Sequence, residues 1–189
     1  AATNENDMHF AAGVTPVAMH NGERLFLLAN EKHGMDRYKY CDFGGCRKRG
    51  ESAVETAARE FIEETRGLFW EKRQMRALCA ILKQRAVQED VLCRRRSGNI
   101  QYAHFLLPIQ YHSTRSIQSR FNVRGARCKA ENEKLTFRWF SERELFSAVF
   151  TNGFVTPGIK LRSTYLFSIA RFPRFDEFLR TIPYADMKG

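Results

Sequence analysis

The chain has 189 residues, of which 31 are Lys or Arg and 21 Asp or Glu, a formal net charge of +10, and 43% of its residues are hydrophobic. That length fits one domain able to bury roughly 70% of its unfolded surface, and the composition excludes an intrinsically disordered chain. No apolar run approaches the ~18 residues of a membrane helix, so the pattern predicts a water-soluble globular protein with no membrane partner.

Residues 1–9 are polar, and we expect a disordered segment there, ahead of a single domain over 10–189. Two runs, 10–20 (FAAGVTPVAMH) and 25–30 (LFLLAN), read as strands joined through Asn21-Gly22, a strong signal for a two-residue hairpin. Residues 38–43 read as a short strand entering Gly44-Gly45. A helix follows, with Ser52 at its N-cap and Glu55 three residues on, the two ends of a capping box. Val54, Ala57, Ala58, Phe61 and Thr65 form its apolar stripe, and Gly67 marks its exit. Residues 77–83 and 102–109 are expected as buried strands, 94–99 as a loop, and 135–140 as a strand. Ser141 caps a short helix to 150. The tail from about 159 to 180 is expected to be helical, with an interruption near Pro173. Strands around a central helix predict an α/β layered fold.

The five cysteines (Cys41, Cys46, Cys79, Cys93, Cys128) are odd in number and contain no Cys-x-x-Cys pair. Cys41 and Cys46 have a spacing that some zinc sites use, but no second Cys/His pair completes one. Free thiols in a reducing intracellular compartment are the expected state. No secretory signal pattern is visible, and the absence of an initiator Met at Ala1 is compatible with a removed targeting peptide.

Arg outnumbers Lys by 22 to 9, and Arg suits planar, bidentate phosphate contacts. The basic clusters are Arg47, Lys48 and Arg49; Arg94, Arg95 and Arg96; and Arg120, Arg124 and Arg127, within an acid-free segment 111–130 that we expect to be a loop. A single cluster is commonly just a solvated face. Several together favour a polyanionic partner, nucleic acid above all.

On the central helix, Glu60, Glu63 and Glu64 stand at i, i+3, i+4 and share a face roughly 135° from the apolar stripe. Their mutual repulsion is relieved by a hard divalent cation, and oxygen-rich clusters of this kind suit Mg²⁺ or Mn²⁺. Gly45, then five residues, Glu51, then seven residues, then Arg59-Glu60-Phe61-x-Glu63-Glu64 resembles the Nudix box. Six matched identities at roughly 7% each arise by chance on the order of 10⁻⁷ times per starting position. The chain departs from the box at its later glycine, which is Arg66 here, with Gly67 one place late.

The resemblance implies a Nudix-like α/β/α sandwich with a helical C-terminal tail, and metal-dependent hydrolysis of a nucleoside-diphosphate linkage. It implies Glu60 and Glu64 as direct metal ligands with the Gly45 carbonyl, Glu63 as a further ligand or water-positioning group, and a Glu51–Arg59 ion pair. It also implies an added acid ahead of the Trp139 strand: Glu133 first, Glu131 second, Glu89 third. The basic clusters point to pyrophosphate removal at an RNA 5′ end. The alternatives are a small-nucleotide enzyme, acting on ADP-ribose, nucleotide sugars or dinucleoside polyphosphates, and an RNA-binding mRNA-stability subunit with secondary activity. More narrowly, the chain resembles the kinetoplastid mitochondrial edited-mRNA stability factor, which implies a mitochondrial location and an RNA-binding protein partner.

Overall fold

A computed structural model describes residues 9–95 and 98–170. The N-terminal segment expected to be disordered, Arg96, and the tail beyond residue 170 with its Pro173 interruption lie outside the described residues, apart from His9, which opens the first strand.

Strand β1 (His9–His20) turns at Asn21 and Gly22, both at positive φ, into β2 (Glu23–Glu31), as the Asn-Gly pair requires. The expected strand at 38–43 is two pieces, β3 (Tyr40–Cys41) and β4 (Phe43–Cys46). β4 pairs with β1 and delivers the chain to helix α1 (Ala53–Glu64), whose Ser52–Glu55 capping box is formed in both directions. Helix α2 (Met75–Arg85) replaces the strand expected over 77–83. Only Leu78 and Leu82 on it are buried, one turn apart, and most of its other residues are good helix formers. β5 (Val87–Arg95) and β6 (Gly98–Pro108) form a hairpin, and Arg94 and Arg95 pair with Asn99 and Gly98 rather than lying in a loop.

The expected basic loop is in part helix α3 (Thr114–Arg124), whose N-cap Ser113 accepts from the Ser116 amide. β7 (Lys134–Ser141) and α4 (Glu142–Phe150), capped by Ser141, follow as expected. The tail first makes a small hairpin, β8 (Phe154–Thr156) with β9 (Ile159–Lys160), and then α5 (Ser163–Ile169).

The main sheet runs β3-β2-β1-β6-β5, with β4 on β1 and β7 on β2. The β1–β6 ladder is parallel; the other pairings in this sheet are antiparallel. One face buries Val14, Phe43, Ala57, Ala58, Phe61 and Phe105 beneath α1, α2 and α3. The other buries Val17, Phe26, Phe140, Leu145, Leu161 and Tyr165 beneath α4 and α5. Helices therefore cover both faces, an α/β/α sandwich. Ala57 and Ala58 let α1 approach β1 and β4 closely, which brings its carboxylates against the β4 backbone. Among the described residues no helix is long and apolar enough to cross a membrane.

Candidate active site

The acid-bearing helix is anchored at both ends. At its start, the Lys48 amide and the Thr56 hydroxyl donate to Glu51. Arg59 grips the same carboxylate through Nε at 2.6 Å and Nη2 at 3.0 Å, and its Nη2 also donates to the Cys46 carbonyl. The expected Glu51–Arg59 pair is thus a fastening between loop and helix. Burial alone would raise the Glu51 carboxyl, but the Arg59 and Lys48 donors outweigh it and hold it down at about 2. Nη1 of Arg59 reaches Glu60 Oε1 at 2.6 Å and Glu63 Oε2 at 3.0 Å.

The three helix acids are not a solvated face. Glu64 is only 1% exposed. Its Oε2 accepts the Gly44 amide at 2.8 Å, and its Oε1 lies 3.4 Å from the ammonium of Lys134. Glu60 rests against Gly45 so closely that any Cβ there would come within 2.6 Å of Oε1, the reason a glycine fills the position. Gly44 is equally confined, between the Tyr102 hydroxyl and Gly13. Tyr102 in turn donates to Asp42 at 2.5 Å.

A cavity of about 430 Å³ opens over this backbone. Glu60, Glu63 and Glu133 line it together with Gly44, Gly45, Lys48, Tyr102, Arg162 and Tyr165. Glu64 stands behind Gly44 rather than in the wall. Burial, with repulsion from Glu63 and Glu133, raises the Glu60 carboxyl despite Arg59. Burial, with repulsion from Glu31, Glu60 and Glu133, raises Glu64 well above the usual carboxylate range despite Lys134. Three acids therefore line the cavity, with Glu64 buried behind Gly44.

Among the described residues no three His, Cys, Asp or Glu side chains converge tightly enough to cage a metal ion, because the Arg59 guanidinium lies between Glu60 and Glu63. The donor chemistry does fit a hard divalent cation: the carboxylates of Glu60, Glu63 and Glu133 lie beside an accessible cavity and a carbonyl-bearing glycine turn.

Of the two added-acid candidates whose side chains are described, Glu133 lines the cavity and Glu131 does not. Glu131 is clamped by Arg127 through four hydrogen bonds of 2.8–3.1 Å. The Glu89 side chain lies outside the described residues, as do those of Arg94, Arg95 and Arg96. Arg47, Lys48 and Arg49 are exposed, and Lys48 alone of the three lines the cavity, 3.8 Å from Glu63. The other cluster is engaged within the protein: Arg120 with the Leu68 carbonyl, Arg124 with the Arg66 carbonyl, Arg127 with Glu131.

Sequence reading missed the buried charges behind the site. Lys134, 1% exposed, donates to Glu31 Oε1 at 2.8 Å and lies 3.0 Å from the Cys41 sulfur, while Arg162 joins Glu31 to Asp36. Burial alone would depress the Lys134 ammonium, but Cys41, Glu64 and Glu31 hold it well above its usual range. Cys41 is buried in this network and Cys46 exposed, so the two do not act as a metal pair.

This architecture recurs among solved structures. An Ap4A hydrolase from C. elegans, in a binary complex, aligns over 90% of this chain and 96% of its own at 16% identity, TM-score 0.52. The NUDIX domain of Shewanella oneidensis NrtR, complexed with ADP ribose, aligns over 88% of each chain at 12% identity, TM-score 0.52. The chain has the Nudix fold. The longer Shewanella oneidensis NrtR complexed with a 27mer DNA aligns over 89% of this chain and 63% of its own at 12% identity, TM-score 0.51. No protein-family model matches the chain, and no curated protein matches it in sequence. These likenesses support the Nudix superfamily fold and not the narrower resemblance to the kinetoplastid stability factor.

Proposed function

We propose that the chain is a metal-dependent Nudix pyrophosphohydrolase that removes pyrophosphate from an RNA 5′ end. The observation that carries the reading is that Glu60, Glu63 and Glu133 line one 430 Å³ cavity together with Lys48, which brings the exposed basic run Arg47-Lys48-Arg49 to its lip. A cavity of this volume suits a nucleotide-sized ligand, so only the terminal nucleotide of a strand would enter it. The following phosphates would lie on the basic lip, where Lys48 already faces an acid and would exchange that contact for phosphate.

Glu60, Glu63 and Glu133, with the Gly45 carbonyl, would hold Mg²⁺ or Mn²⁺, with Glu64 backing them from beneath Gly44. When bound, such an ion activates water and offsets charge on the leaving phosphate. The chain's own part is geometric. Arg59 fixes Glu51, Glu60 and Glu63 relative to one another, Gly44 and Gly45 keep the wall free of side chains, and Lys134 neutralises the charge buried behind it. Arg162 presents a cation to the cavity, where it can orient the remainder of the substrate.

Turnover of small nucleotides is the second reading. It is favoured by the cavity's size and by the hydrolase of Ap4A and the ADP-ribose-bound domain among the structural neighbours. The resemblance to the edited-mRNA stability factor, with the mitochondrial location and RNA-binding partner it implies, belongs to this proposal and rests on the sequence resemblance and the net charge of +10. A turnover panel in Mg²⁺ with triphosphorylated RNA, ADP-ribose and diadenosine tetraphosphate tests it. RNA should be preferred in kcat/KM, Glu60→Gln should abolish turnover, and a preference for either small substrate would establish the second reading instead.

A further inference from the structure

Arg66, where the Nudix box has glycine, has φ +54°, in the left-handed region that disfavours any side chain. Glycine would occupy this conformation without steric cost, so the arginine is held there by what its side chain does. Nε donates to the Glu131 carbonyl at 2.9 Å, Nη1 donates to the Phe121 carbonyl at 3.1 Å, and the guanidinium lies 3.8 Å over the Phe121 ring. The Phe121 carbonyl is among the last four of α3, which lack intrahelical partners, and a cation there also suits the helix dipole.

Glu131 belongs to a 3-10 turn, Ala130–Asn132, that runs directly into Glu133 and Lys134. Two further arginines strengthen the junction. Arg124 donates to the Arg66 carbonyl at 3.3 Å, and Arg127 clamps the Glu131 side chain. The exit of α1, the end of α3 and the turn bearing Glu133 therefore meet at one guanidinium.

We propose that Arg66 is a positioning residue that locks the Glu133-bearing turn to the acidic helix and so fixes the spacing of the cavity's acids. Glu133 and Lys134 are its two outputs: one faces the cavity beside Glu60, the other pairs with Glu64 from behind. Lysine cannot substitute, because the work requires two donors in a planar fork and a flat cation over a ring. The catalytic consequence rests on the pyrophosphohydrolase reading; the mechanical one rests on the geometry alone.

The test uses the full chain with Arg66→Gly and Arg66→Lys, each also combined with Glu133→Gln. Arg66→Gly removes the contacts while relieving the backbone, so it does not threaten the fold through strain. Amide hydrogen exchange over residues 127–134 should rise about tenfold or more in both variants, with β1 and β6 amides unmoved. Turnover at saturating substrate and Mn²⁺ affinity, read from the free-ion EPR signal, should each fall roughly 10- to 100-fold, the range for outer partners of metal ligands. In the Glu133→Gln background the same substitutions should cost less than about threefold, because the group being positioned is gone. Unchanged exchange overturns the proposal, and so does an equal loss in both backgrounds, which marks a purely structural contact. A wild-type chain that hydrolyses no phosphoanhydride overturns the hydrolase reading instead, and the exchange result then decides Arg66.

Discussion

Glu64→Gln and Glu64→Ala together probe the difference between an acid on a solvated helix face and one that belongs to a buried charge network. On an exposed face both substitutions would relieve repulsion with Glu60 and leave stability unchanged or slightly improved. Glu64 instead has its Oε1 3.4 Å from Lys134 and its Oε2 on the Gly44 amide. At an effective dielectric near 20, opposite charges at that separation attract by about 5 kcal/mol. Desolvation of the carboxylate, with repulsion from Glu31, Glu60 and Glu133, outweighs that attraction and holds the carboxyl well above its usual range. Glu31, 2.8 Å from the same ammonium, keeps Lys134 paired when Glu64 is neutral. Glu64→Gln therefore removes a charge that the site penalises and keeps an acceptor for the Gly44 amide, so Tm should stay level or rise. Glu64→Ala removes that acceptor, at about 1–3 kcal/mol for an unsatisfied buried donor, and for a chain of this length each kcal/mol lowers Tm by roughly 2–4 °C. Calorimetric melting in neutral buffer should therefore place Glu64→Gln at or above wild type and Glu64→Ala several degrees below both, with turnover reduced in each variant. Melting of Glu64→Ala within about a degree of wild type would refute the buried-network reasoning.

Glu133→Gln should lower turnover at saturating substrate by at least tenfold with little change in Tm; effects within about twofold on both, as for an ordinary surface substitution, would remove it from the site. Replacing Arg47, Lys48 and Arg49 with Gln should flatten the log–log salt slope of single-stranded RNA binding by about two units, at ~0.7 per lost phosphate contact. The same change at Arg120, Arg124 and Arg127 should move that slope by less than one unit and instead lower Tm, since each holds a protein acceptor. A pH series isolates the Glu51–Arg59 fastening. The folded Glu51 carboxyl is held down at about 2 against an ordinary 4.5, so its contribution is present above pH 4.5 and vanishes as pH falls toward 2. Partial exposure of the pair limits that contribution to about 1–2 kcal/mol. The Tm gap between wild type and Glu51→Gln should close across that window, and a gap independent of pH would exclude the ion pair as its source.

Local chemistry was legible where the physical cause is itself local. The Asn21-Gly22 turn, the Ser52 and Ser141 caps and the Glu51–Arg59 spacing depend on residues within about one to two helical turns, and each is formed. Misreading began where tertiary context sets the outcome. Residues 77–83 are apolar enough for a strand, but only two of them are buried, one turn apart, because α2 turns one face toward α1 and β6. Glu60, Glu63 and Glu64 lie on one helix as their spacing requires, but the burial of Glu64 is not legible there, since periodicity gives the angle between side chains and not what lies across from them.

Lys134 shows most plainly why sequence could not reach the rest. Between Ala29–Phe137 and Glu31–Lys134, β2 advances two residues while β7 advances three, so β7 carries one extra residue. A bulge of this kind shifts the phase of alternation, and it turns Lys134 inward while leaving Leu135 38% exposed, the reverse of their hydropathies. Within the strand's own sequence the lysine is a polar residue before an apolar run, hence a boundary. Its partners lie 103 and 70 positions away, at Glu31 and Glu64, on a strand and a helix that meet only after the sheet has formed. Glu60, Glu63 and Glu64 are written in a twenty-residue motif, whereas the cation beside the buried one of them is supplied by a strand irregularity that the motif does not contain.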